Sequence, residues 1–297
     1  MYQAVPEPGG TPNNYLFMKR YFLLFLLAAL ACGCNDSEGD SPAGTGSETQ
    51  QPVSPDEILP RRLVSVDVTP MGDSPYSETY AYDEQDRLTS ITGLGGDTYT
   101  YTYTDNAIVA DIAGDSEEIT YRLKNGRIVT ARCEDVEDDW WSEMSFNYDA
   151  IGYLASFSST GDEGFEFDGA LAYASNGVLF KSRGNEWDTT LSIEFDRMRL
   201  NNQNLDFYGE FCWGLANALG EYCQFYLFGV GGRRLRYLPA TTTIIEHDEE
   251  EGQWYTSKMV IRYVYHMDGD YLSEVEIYTD EGEGESKEPT RIVFHYE

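Results

Sequence analysis

The sequence predicts a mainly β protein: an antiparallel meander of β-hairpins that curves into a barrel or half-barrel around one buried apolar helix near residues 207–228. Three observations predict it. Thr98-Tyr99-Thr100-Tyr101-Thr102-Tyr103-Thr104 alternates strictly, which puts tyrosines on one face of an extended chain and threonines on the other. The dipeptides Asn125-Gly126, Asn176-Gly177 and Asp268-Gly269 lie between such runs and suit the two-residue turns that join hairpin strands. One long stretch breaks the pattern. From Phe207 to Gly232 the only charges are Glu210 and Glu221, and Phe211, Leu215, Leu219, Tyr222 and Tyr226 recur at helical spacing. Asp206 suits an N-cap, and Gly229, Gly231 and Gly232 suit the stop. Gly209, Gly214 and Gly220 inside the stretch each cost a helix roughly 1 kcal/mol against alanine. Such a helix needs a sheet around it.

In chain order, the first segment is read as processed rather than folded. Lys19-Arg20 precede an apolar run, Tyr21 to Ala31, too short for a permanent membrane span. Residues 1–17 hold Pro6, Pro8 and Pro12 and no signal character, which makes Met18 the alternative start. The run ends in Ala31-Cys32-Gly33-Cys34. Small residues before a cysteine resemble the lipobox of bacterial lipoproteins, and the resemblance implies acylation of Cys34, with Cys32 as runner-up. Asp36, Glu38 and Asp40 follow directly, which resembles the surface-export signal of Bacteroidetes lipoproteins. Together these imply an outer-membrane lipoprotein exposed at the cell surface, with the membrane as partner through the lipid. Residues 35–60 are mostly Ser, Gly, Pro, Thr, Gln and acid, a composition that predicts a disordered tether reaching roughly 30 Å. Residues 61–297 remain as one β-rich domain long enough for its own core.

A formal net charge of −32 excludes nucleic acid as a partner and opposes binding to anionic lipid surfaces. Acidic clusters at Glu134–Asp139, Glu246–Glu251 and Asp280–Glu285 fall in predicted loops, and none has EF-hand spacing, so no metal site is assigned. Cys133, Cys212 and Cys223 are too few for a disulfide framework and read as small buried residues.

Within the domain a unit repeats: aromatic-x-aromatic, a turn, then a leucine-containing strand. Tyr80-Ala81-Tyr82-Asp83 leads into Leu88, Phe146-Asn147-Tyr148-Asp149 into Leu154, and Tyr263-Val264-Tyr265 into Leu272. Weaker copies run through Tyr101–Tyr103, Leu171–Tyr173 and Phe294–Tyr296. This resembles the tyrosine–aspartate (YD) repeats of Rhs-type proteins, in which repeated hairpins build a continuous curved sheet. Asn204-Leu205-Asp206-Phe207, the apolar stretch, Leu227-Phe228-Gly229, Arg233-Arg234 and Tyr237-Leu238-Pro239 resemble an uncharacterised domain of Bacteroidetes surface lipoproteins with a porin-like fold. That family has no established function, so the resemblance implies location and fold rather than role.

Catalytic signatures are missing from the sequence: GxSxG, P-loop, HExxH and paired CxxC motifs do not occur. His247, His266 and His295 sit in separate predicted elements. The reading is therefore a non-enzymatic binding or scaffold module without a cofactor. Aromatics are the enriched class, with 23 Tyr, 14 Phe and 5 Trp. Trp140-Trp141 are the candidate ligand-binding residues, because adjacent strand residues point to opposite faces and one ring should be outside, able to stack on a glycan or a peptide. Two alternatives stand beside this: a glycan-active hydrolase using loop carboxylates, and a purely structural envelope protein.

Overall fold

The computed structural model describes residues 61–94, 97–135, 139–162, 166–184, 187–203, 205, 228, 230–250, 253–282 and 284–297. Among the described residues there are sixteen strands: β1 (Leu63–Thr69), β2 (Tyr76–Tyr82), β3 (Leu88–Leu94), β4 (Asp97–Tyr103), β5 (Ala107–Ile112), β6 (Glu117–Lys124), β7 (Arg127–Asp135), β8 (Trp140–Tyr148), β9 (Leu154–Gly161), β10 (Glu166–Ala174), β11 (Gly177–Arg183), β12 (Trp187–Leu200), β13 (Tyr237–Glu250), β14 (Gln253–Asp268), β15 (Tyr271–Asp280) and β16 (Thr290–Tyr296). Each pairs antiparallel with its successor, and β16 pairs back onto β1 through Val66↔Phe294 and Val68↔Ile292, so the meander closes into a barrel. Closure removes the two free edges that a half-barrel would leave open. No α-helix occurs among the described residues. The apolar helix expected near 207–228 falls almost wholly outside them, so that part of the prediction gains no support.

Alternation sorts the strands into two faces. Val66, Val68, Tyr80, Tyr99, Tyr101, Ile108, Ile119, Tyr121, Phe157 and Phe180 point inward and are buried. Between them Asp67, Thr79, Thr100, Thr102, Asp111, Glu118, Arg122, Thr160, Lys181 and Glu194 point outward. The core is thus the lumen itself. Phe157 on β9 and Phe180 on β11 stack at 5.8 Å across β10, and Gly169 on β10 makes this possible. A Cβ at Gly169 would stand 2.4 Å from the Phe157 ring.

The two ends of the barrel differ. At the entry end, where Arg61 leads into β1, the repeats explain themselves. The second tyrosine of each copy donates its hydroxyl to a backbone carbonyl of the preceding strand. Tyr82 reaches Leu63 O, Tyr103 reaches Leu88 O, Tyr148 reaches Ile128 O, Tyr173 reaches Leu154 O, Tyr265 reaches Pro239 O and Tyr296 reaches Leu272 O, all at 2.6–2.9 Å. The first residue of each pair fills the core. The aspartate shapes the turn: Asp83 Oδ1 accepts from Gln85 N and Arg87 N, and Asp149 Oδ1 accepts from Ile151 N, Gly152 N and Tyr153 N. Asp86 and Gly152, at φ 60° and 100°, take the left-handed position of the same turn.

The long β12–β13 connection also starts and ends in the core at this end. Asn201, buried, accepts from Leu205 N at 2.9 Å and donates to Leu205 O and Leu235 O. Phe228 sits edge-on to Tyr101 and Tyr121 at 5.0 Å each. Ile128 N donates to Val230 O, and Arg233 N donates to Gly152 O.

Candidate functional site

The opposite, far end gathers what the entry end lacks. The acidic clusters 134–139, 246–251 and 280–285 all lie toward it, but partly in strands where the sequence predicts loops: Glu134 and Asp135 close β7, Glu246 to Glu250 close β13, and Asp280 closes β15. Inward rows become polar toward this end: Glu78, Asp135, Ser142, Ser159, Ser182 and Thr189 are all buried. Tyr80 donates to Glu78 at 3.0 Å, and Ser116 donates to Asp135 at 2.7 Å. Among the described residues the Ser182 Oγ has no hydrogen-bond partner.

Trp140 and Trp141 open β8 at the far rim, opposite Asp135 and Glu134 in register. They face opposite sides. Trp140 packs against the core from within, and both rings are half-buried. Trp141 lies outside, under the Arg132 guanidinium at 4.3 Å, and Arg132 is also paired with Glu134. The Trp141 amide donates to Asp162 at 3.2 Å.

The largest projection at this end is the β13–β14 hairpin. β14 has sixteen residues and β15 only ten. Trp254 and Tyr255 near its tip are 55% and 52% exposed. Strand parity places Tyr255 on the face continuous with the barrel interior and Trp254 on the outer face. Glu246 and Asp248 share the inner face, two residues apart. Burial, and then the neighbouring Asp248, push the Glu246 carboxyl above the ordinary carboxylate range, against a hydrogen bond from Ser257. A raised carboxyl beside a second carboxyl is a pattern that acid–base chemistry uses. Here they stand on a projecting hairpin.

Two outer-wall clusters bear on chemistry. His266, Glu274 and Glu276 bring ligand atoms within 4.8 Å of one another, the group best able to gather a metal ion among the described residues. Arg291 already lies beside both carboxylates, at 3.8 Å from Glu274 and 2.9 Å from Glu276, and supplies the counter-charge. Ser77, Asp67 and His295 also meet, with Asp67 in the middle: Ser77 donates to Oδ1 at 2.6 Å, and His295 Nε2 is 2.7 Å from Oδ2. A nucleophile–base pair needs serine beside histidine, so this trio reads as a clasp across the β1–β16 seam.

The family model for the Teneurin YD-shell matches residues 60–186. A porin-like protein from Bacteroides uniformis superposes with a TM-score of 0.64 at 16% identity, covering 81% of this chain and 99% of the other. The fold is porin-like, with YD-repeat-like features. A second porin-like protein, from Bacteroides vulgatus, gives a TM-score of 0.51 at 13% identity over 79% of this chain and 98% of the other. Comparison with the curated proteins returns no match. At these identities the likeness is one of fold. The outward rows of this barrel carry many polar and charged residues, where a membrane-spanning barrel carries an apolar band.

Sequence reasoning missed the projecting hairpin. Trp254-Tyr255 follow an acidic run as Trp140-Trp141 do, but strand length beyond the rim is set by where β15 ends, and no local signal marks that.

Proposed function

We propose that the chain is a lipid-anchored, outer-membrane-associated protein whose barrel stands in water and serves as a non-enzymatic binding or scaffold module for glycan or peptide. The observation that carries this reading is the polar outer wall. Outward threonines, acids and basic residues would each be costly against hydrocarbon, so a barrel of this kind needs another means of attachment, and the Cys34 lipobox would supply one. Arg61, where the chain leads into β1, lies at the entry end, and Trp140, Trp141 and the β13–β14 hairpin lie at the other end of the barrel. The porin-like relatives from Bacteroides support an outer-membrane association. Replacing Cys32 and Cys34 by alanine together should abolish labelled palmitate incorporation and move the protein from the membrane to the soluble envelope fraction. Continued palmitate incorporation in that double variant contradicts the anchor.

A further inference from the structure

Toward its tip, β14 has an outer edge that no described strand pairs with. β14 pairs with β13 from Gln253 to Arg262, opposite Glu250 to Thr241, without a register shift. On its other side pairing with β15 begins only at Val260↔Asp280. Among the described residues nothing pairs with the outer edge of 253–259. Trp254, Tyr255, Thr256, Ser257 and Lys258 are all exposed in succession, which a strand paired on both sides or packed on one face does not show. The β15–β16 connection does not cover them. It is clamped lower down, where Arg262 makes two parallel hydrogen bonds to Glu285 at 2.6 and 3.0 Å and stacks over Tyr278 at 4.5 Å.

Such an edge is a template for another strand unless it is blunted. The usual blunting devices are sparse here. The segment Gln253–Met259 holds no proline, no bulge and a single charge, Lys258. Instead it carries two exposed aromatic rings, one for each face of an added strand.

Charge decides between occupants. The hairpin Glu246–Lys258 contains Glu246, Asp248, Glu249, Glu250 and Glu251 against one lysine. Tyr255 is the register partner of Asp248, so an acid stands one strand away from it, and Trp254 lies in the same acidic hairpin. A ring beside a carboxylate favours a lysine or arginine side chain. A second copy of this chain would bring the same acidic hairpin and a net charge of −32 against it. A glycan would use the rings but leave the row of backbone donors and acceptors unread.

We propose that the outer edge of β14 at 253–259 is a docking site for an extended, cationic peptide segment, which adds to the sheet as a further strand. This rests on the binding-module reading and names its partner class. Main-chain hydrogen bonds to the edge hold the segment, and Trp254 and Tyr255 each select basic side chains on the face that they present.

The test uses the full chain and three short probes: a peptide alternating valine and lysine, the same peptide with alternate amides N-methylated, and one alternating valine and glutamate. The valine–lysine peptide should bind and slow amide exchange at 253–259 by about tenfold, equivalent to about 1.4 kcal/mol. The N-methylated and glutamate probes should not, and Trp254→Ala should weaken binding of the lysine probe. Equal binding of the N-methylated probe, or protection elsewhere on the barrel, overturns the edge. Binding of neutral oligosaccharides alone also overturns it while leaving the binding-module reading intact. A palmitate-labelled Cys32/Cys34 double variant would overturn the anchored reading and leave the edge standing.

Discussion

A latch tyrosine satisfies a carbonyl that would otherwise end a strand without a partner. Removing the Tyr148 hydroxyl leaves Ile128 O without that donor in a half-buried place. Tyr148→Phe should therefore cost about 0.5–1.5 kcal/mol in urea unfolding, with an unchanged slope. The same groups tie stability to alkaline pH. Burial pushes the Tyr103 hydroxyl up to about 12, with Arg87 pulling the other way, and burial likewise raises Tyr148 and Tyr296. A phenol raised in the folded state is held neutral there. Its contribution is full below the ordinary tyrosine value near 10 and is lost as pH rises from about 10 toward about 12. Unfolding measured across that interval should show a steep fall in stability, and Tyr103→Phe should make the fall shallower. An identical profile in the variant would mean that the latch does not titrate in this way. Gly169 gives a second residue-scale test. Its replacement by alanine drives a Cβ into the Phe157 ring, and overpacking of this kind costs roughly 1–3 kcal/mol.

Among the elements, the β13–β14 hairpin and the repeat hairpins behave differently. Each repeat hairpin is braced by both neighbours and by the lumen. Among the described residues, the β13–β14 hairpin beyond Val260 is braced by β12 on one side only. Shortening it to an Asn-Gly turn between Ile244 and Met259, which stand opposite each other in register, should leave the unfolding midpoint nearly unchanged while removing the proposed edge. A large loss of stability would show instead that the hairpin is part of the core. This contrast also marks what could be read from sequence. Tyr99–Tyr103 and the Tyr82-Asp83 and Tyr148-Asp149 turns were legible, because strand alternation and aspartate-capped turns are local. Where the second tyrosine sends its hydroxyl was not legible, since the acceptor lies on a neighbouring strand about twenty residues back, as for Tyr148 and Ile128. That Trp140 and Trp141 take opposite faces of one strand follows from alternation within β8. The guanidinium over Trp141 comes from Arg132 on β7, and periodicity within β8 carries no trace of it.

At the scale of the whole molecule, the meander was legible and its closure was not. Whether a curved sheet stops at a half-barrel or returns to its first strand depends on the pairing of β1 with β16, which lie at opposite ends of the domain. The direction of the two faces follows once closure is known: a closed sheet has one inside, and the tyrosines, isoleucines and phenylalanines fill it. The outer wall is then mostly polar, rich in Thr, Asp, Glu, Lys and Arg, with exposed Leu179, Met198 and Met267 scattered singly and Trp141 and Trp254 toward the far end. Everything proposed about anchoring and binding depends on that polarity. Its most direct measurement is the folding of residues 61–297 in buffer without detergent, followed by near-ultraviolet circular dichroism and urea unfolding. A water-standing barrel predicts a monodisperse protein with one cooperative transition that added micelles or lipid vesicles do not move. Aggregation in buffer, with native signal appearing only on insertion into lipid, would contradict it.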